Sequence, residues 1–81
     1  MRELVERIVA ALVEHPDKVL VSEVKGEAST IIEVEVDPTD RRFVIGKQGQ
    51  NIDAIRHLMK CVAVARNLRV RLHLAEDERQ P

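Results

Sequence analysis

No tryptophan and no tyrosine occur among the 81 residues, and Phe43 is the only aromatic ring. Folds that stack nucleobases on exposed aromatics, such as RRM, cold-shock and OB modules, are excluded by that lack. A single cysteine, Cys61, cannot close an internal disulfide, which suits a reducing, cytoplasmic setting. No apolar run approaches the length of a membrane span, and the opening Met1-Arg2-Glu3 does not read as a signal peptide, so no membrane insertion is expected. Metal and covalent chemistry lack their parts as well. His57 and Cys61 stand at ligand spacing on a helix, but two ligands do not make a zinc site, and His15 and His73 have no reason to join them. No third group orients a Cys-His pair, and no GxxxxGK[ST] loop occurs. The expectation is a non-enzymatic domain without metal or cofactor.

Charge is scarce only in the sum. The formal net charge is -1, yet Met1 to Asp37 carries nine Asp/Glu against four Lys/Arg, whereas Pro38 to Ala75 carries eight Lys/Arg against two Asp/Glu. The last six residues are acidic again. A polyanion would be steered to the middle of the chain, although the protein as a whole is not basic.

That basic half contains two of the three glycines, in Val44-Ile45-Gly46-Lys47-Gln48-Gly49-Gln50-Asn51-Ile52. Branched apolar residues on either side bury the flanks, which predicts helix, tight exposed turn, helix. Glycine admits positive φ and close approach of a ligand to the main chain. The amides that open the second helix lack intrahelical partners and lie at the positive end of its dipole. With Lys47 at the tip, the turn suits a phosphate.

The rest of the chain supplies a frame. Leu4, Val5, Ile8, Val9 and Leu12 form one helical stripe, and His15-Pro16 is expected to end that helix. From Val19 the period becomes two, and strands on either side of Lys25-Gly26-Glu27-Ala28 form a hairpin with one face on a core. Asp37 reads as an N-cap, Pro38 as the first helical position and Asp40 as a first-turn acid. A short helix then runs to Ile45. A long one follows from about Gln50 to Arg66, with Ile52, Ile55, Met59, Val62 and Ala63 inward and Asn67 as a left-handed cap. Leu68, Val70, Leu72 and Leu74 alternate inward in a last strand. Arg69 and Arg71 point outward, where ion pairs with Glu33 and Glu35 are expected. The architecture is therefore α+β, in the order α-β-β-α-α-β, with a mixed three-stranded sheet and three helices on one face. Residues 1–75 form one domain, and 76–81 are expected to be a polar, disordered tail.

The string aliphatic-Ile-Gly-x-x-Gly-x-x-Ile between two helices, with a strand after them, resembles the GXXG signature of KH domains. The element order resembles their type II arrangement, and the length resembles the small bacterial single-KH proteins of the KhpA family. The resemblance covers Leu4 to about Leu74 and implies a non-enzymatic domain that clamps single-stranded RNA, with single-stranded DNA equally compatible. It implies contacts from Gly46, Lys47, Gln48 and Gly49 and an apolar floor drawn from Val44, Ile45 and Ile52. Arg56 and Arg42 are expected as further phosphate contacts. Ala54, His57, Cys61 and Val64 form a second stripe on the long helix, which predicts a subunit interface. The family implies a homodimer or pairing with a larger KH-containing protein of the KhpB (Jag) type. It also implies post-transcriptional regulation or RNA chaperoning, tied in some bacteria to cell shape. Two alternatives stand beside this reading, a ribosome-associated assembly factor and a protein-interaction module that has lost RNA.

Overall fold

A computed structural model describes residues 1–75; the tail predicted to be disordered, 76–81, lies outside the described residues. Helix α1 (Arg2–Leu12) is followed by strands β1 (Leu20–Lys25) and β2 (Thr30–Glu35), helix α2 (Arg41–Ile45), helix α3 (Gln50–Ala65) and strand β3 (Val70–Leu74). Short 3-10 turns at Pro16–Lys18, Pro38–Asp40 and Lys47–Gly49 join them. The sheet order is β1-β2-β3, with β1 antiparallel and β3 parallel to β2, as the crossover through two helices requires.

Alternation decides what each strand buries. Val21, Val34 and Leu74 form one inward row, since Val21 pairs with Val34 and Val34 with Leu74. Ile32 fills the next row. Onto these pack Val5 and Val9 of α1, Val44 of α2, and Ile52, Ile55 and Met59 of α3. The other sheet face carries Leu20, Ser22 and Val24 of β1, and its Leu20 and Val24 are 56% and 57% exposed.

Three expectations are corrected. Helix α1 stops at Leu12 rather than at His15-Pro16, and Val13 is already extended. The cause lies 25 residues away in sequence: the Asp40 carboxylate, fully buried, accepts from the amides of Glu14 (3.2 Å) and His15 (2.9 Å) and pairs with His15 Nδ1 at 3.0 Å. Asp40 thus binds the end of α1 to the start of α2 instead of acting as a simple first-turn acid. Leu68 does not enter the last strand. Its amide bonds Ala63 O (2.7 Å) while that of Asn67, at φ 57°, bonds Val64 O, which is a Schellman cap that leaves Leu68 half-exposed. Finally, Arg69 and Arg71 form no ion pair with Glu33 or Glu35 among the described residues. The parallel register sets Arg71 beside Ile31 and gives Glu33 the neighbour His73.

Burial alone would raise the Asp40 carboxyl, but the bonds from His15 and Glu14 outweigh it and hold it below the usual range. His15 is raised, chiefly by its bond to Asp40. The depressed acid stabilises the fold above about pH 4 and loses that effect as pH falls further; the raised base stabilises fully below about pH 6.5 and loses it as pH climbs through its folded value. The contact is therefore strongest between about pH 4 and 6.5. Thermal melts should show Tm falling as pH rises from 6 to 8.5, and His15→Gln should flatten that limb.

Candidate nucleic-acid interface

Helix α2 is only five residues long, and Gly46 ends it because its φ of 77° and ψ of 174° cannot continue a helix. The Gly46 amide bonds Arg42 O at 2.8 Å, and the Gly49 amide returns to Gly46 O at 3.1 Å. Between them Lys47 keeps helical dihedrals while Gln48 turns left-handed at φ 57°. Right-handed followed by left-handed residues make a concavity of main-chain amides that receives anions. The amides of Lys47 and Gln48 have no partner among the described residues, and both side chains are exposed.

The two glycines serve different ends. A Cβ on Gly46 would fall 2.6 Å from Asn51 Cγ. Asn51 in turn donates its side-chain amide to Phe43 O at 2.8 Å, locking the end of α2 to the start of α3. At Gly49, also at φ 77°, the nearest atom to a Cβ is Asp53 Oδ2 at 3.9 Å, so that position is open to a ligand.

The expected site residues divide accordingly. Gly46, Lys47, Gln48 and Gly49 come together at the tip. Val44 is 1% exposed and Ile52 8%, so both brace the turn from within the core rather than forming surface, because each sits on the helical stripe that meets the sheet. Ile45 is half-buried and is the member of that trio with area to offer. Arg42 is exposed, its guanidinium 4.8 Å from the Phe43 ring centroid. Arg41 instead donates to Ala75 O and anchors the end of β3. Arg56 forms an i,i+3 ion pair with Asp53 at 3.7 Å.

From Arg56 onward an open cleft of about 800 Å³ runs between α3 and the edge of β3. Met59, Ala63, Val70 and Leu72 contribute apolar lining, and Arg56, Lys60, Arg69 and Arg71 bring four cations, with no carboxylate lining the cleft among the described residues. The cleft begins about 10 Å along the helix from Gly49, at 1.5 Å per residue. Thr30 N bonds Arg69 O and Ala75 N bonds Val34 O, so odd-numbered residues of β3 turn their main chain to β2. By alternation Val70 and Leu72 present N–H and C=O to the cleft, without partners among the described residues. Val64 and Leu68, 72% and 50% exposed, close its far end.

Sequence reasoning missed Asn51, Asp53, Lys60, Arg69 and Arg71. Lys60 was within reach of it, standing one turn beyond Arg56 on the same face. The arginines were set aside because an outward face shared with Glu33 and Glu35 pointed to ion pairs. Ala54, His57, Cys61 and Val64 are all exposed along α3. Among the described residues, no group of three or more His, Cys, Asp or Glu is placed to hold a metal ion, and no helix is long and apolar enough to cross a membrane.

Comparison with known proteins follows this geometry. A family model described as the KH domain of KhpA/KhpB matches residues 2–74. The chain is 51% identical over 70 residues to the RNA-binding protein KhpA of Clostridium acetobutylicum, covering 86% of this chain and 93% of that one. It is 45% identical over 76 residues to the KhpA of Halalkalibacterium halodurans (94% and 100% covered). Identity to the KhpA of Aquifex aeolicus is 37% over 76 residues (94% and 96%). No solved structure gives a significant match.

Proposed function

The chain belongs to the KhpA/KhpB KH-domain family, and from that premise we propose that it binds single-stranded RNA without catalysing a reaction on it. The carrying observation is the exposed turn whose Lys47 and Gln48 amides are unpartnered among the described residues, in line with a cleft of four cations. In this reading the sugar-phosphate backbone lies on Gly46 to Gly49, with Lys47 supplying charge and Gln48 a neutral contact. Bases then descend toward Ile45 and the apolar cleft wall, where the main chain of Val70 and Leu72 reads their edges. Arg56, Lys60, Arg69 and Arg71 follow the phosphates. Such a groove holds about four nucleotides, so affinity per groove is modest and pairing raises it through effective concentration. We assign the exposed stripe Ala54, His57, Cys61 and Val64 to contact with another KH chain, whether a second copy or a larger protein of the KhpB type. Post-transcriptional regulation or RNA chaperoning is the role this fits; a ribosome-assembly role would need the same surface.

Fluorescence anisotropy with short single-stranded RNA tests the reading. The logarithm of affinity should fall with the logarithm of salt at a slope of about -2 to -4, at roughly 0.7 per phosphate neutralised on single strands. Asp53 is the informative mutation, for its carboxylate stands beside Gly49 and holds Arg56. Asp53→Asn removes a repulsive charge and releases the arginine, and affinity should rise about 3- to 10-fold, most at low salt. A loss of affinity, or a flat salt response, would remove the phosphate path from this side of α3.

A further inference from the structure

The chain's one aromatic ring stays out of the core. Phe43 is half-buried, yet it is not among the partly buried residues packed against the core cluster, a set that includes its neighbour Ile45. What stands over the ring is Arg42, its guanidinium carbon 4.8 Å from the centroid, which is cation–π range. Of the five residues of α2, Arg42 alone is exposed. It has no ion-pair partner among the described residues, so no carboxylate there competes for it. The pair is also fixed to the glycine turn. Arg42 O accepts from the Gly46 amide, and Phe43 O accepts from the Asn51 side chain, both at 2.8 Å. Arg42 lies about 6 Å along α2 from Gly46, at 1.5 Å per residue, and it does not line the cationic cleft.

We propose that Arg42, backed by Phe43, is a stacking platform for one further nucleobase, that of the nucleotide next to the clamped four on the side away from the cleft. The inference rests on the RNA reading above and gives Arg42 a role other than that of a phosphate contact. A guanidinium plane takes a nucleobase as an aromatic ring does. Every base has a π-face to offer, so the platform takes any base and holds a purine better than a pyrimidine, without reading its edge. The ring beneath holds the guanidinium ready, which limits the side-chain freedom lost on binding. A chain with a single ring thus gains a stacked base without laying that ring bare. Cleft and platform lie on different elements, α3 with β3 for the one and α2 for the other, and the turn joins them.

Anisotropy competition at low salt tests it, with a uridine tetramer extended by one unit at one end or the other. The added unit is adenosine, or an abasic ribose phosphate that brings the same charge without a base. At one of the two ends adenosine should bind at least about 5-fold tighter than the abasic unit, the low end of what a stacked base contributes. Arg42→Lys keeps the charge but not the plane, and should bring that ratio below about 2 while the salt dependence stays as in the parent. Phe43→Leu withdraws the support from outside the core and should at least halve the ratio. Equal binding of adenosine and the abasic unit at both ends overturns the proposal, as does a ratio that either variant leaves unchanged. Failure of the parent to bind the bare tetramer overturns the RNA reading and this inference with it. Tetramer binding without any dependence on the added base overturns this inference alone.

Discussion

Replacing Lys47 and Gln48 together by aspartate is expected to weaken binding of single-stranded RNA by at least about 100-fold, nearly 3 kcal/mol at 1.4 kcal/mol per factor of ten. Both side chains are exposed at the tip of the turn, and the amides beneath them have no partner among the described residues. In the proposed binding mode, two carboxylates placed there would repel a phosphate lying on those amides. The fold should not notice. Gln48 sits at φ 57°, a region aspartate enters more readily than most residues, and Lys47 has no ion-pair partner among the described residues. Tm should therefore stay within about 3 °C of the parent. Anisotropy titration and a thermal melt on the same sample separate the outcomes. Unaltered RNA binding would mean that the turn is not the contact, whereas absence of RNA binding by the parent protein would favour a protein-interaction module that has lost RNA.

The largest stability effect is expected at Gly46. Its φ of 77° with ψ near 174° belongs to a region reached almost only by glycine, and forcing a side chain into such a region costs about 1–3 kcal/mol. A methyl group there would also collide with Asn51 at 2.6 Å, and moving Asn51 breaks its bond to Phe43 O, worth about 0.5–1.5 kcal/mol. Gly46→Ala should thus lose about 2–4 kcal/mol, or roughly 10–25 °C of Tm in a domain this small. Gly49→Ala meets no atom nearer than 3.9 Å and adopts an ordinary left-handed conformation, so it should cost only about 1 kcal/mol. Its larger effect should be on RNA, since the new methyl group would fill the open side of the turn on which the proposed binding mode lays the sugar-phosphate backbone. Equal losses of Tm at the two glycines would contradict the division of labour between them.

Legibility from sequence followed the range of the interaction. The GXXG turn, the Asp37-Pro38 helix start and the Asn67 cap are local events, and each was readable because the residue type answers a backbone demand within a few positions. Asp37 does accept from Thr39 N at 2.9 Å, and Asn67 does sit at φ 57°. The inward sets of α1, α3 and β2 were readable from period alone. Asp40 was not, because its partners on Glu14 and His15 lie far away in sequence and nothing local marks a carboxylate as buried. Val44 and Ile52 could not be assigned to core or surface either, since periodicity tells which residues share a face but not what covers it.

Arg69 and Arg71 make the distinction sharpest. Alternation along β3 determined that they share a face, and composition determined that the middle of the chain is basic. Which carboxylates they would meet depended on a parallel register, and one step of register is decided by how α3 and its cap return the chain to the sheet. That return put Ile31 beside Arg71 and left both arginines lining the cleft with Arg56 and Lys60. The sequence on its own thus determined a type II KH fold and the exposed glycine turn between α2 and α3, for these rest on short-range geometry and pattern. The cationic cleft and the Asp40 tie were decided by tertiary structure, because each joins groups whose separation in space no local rule sets.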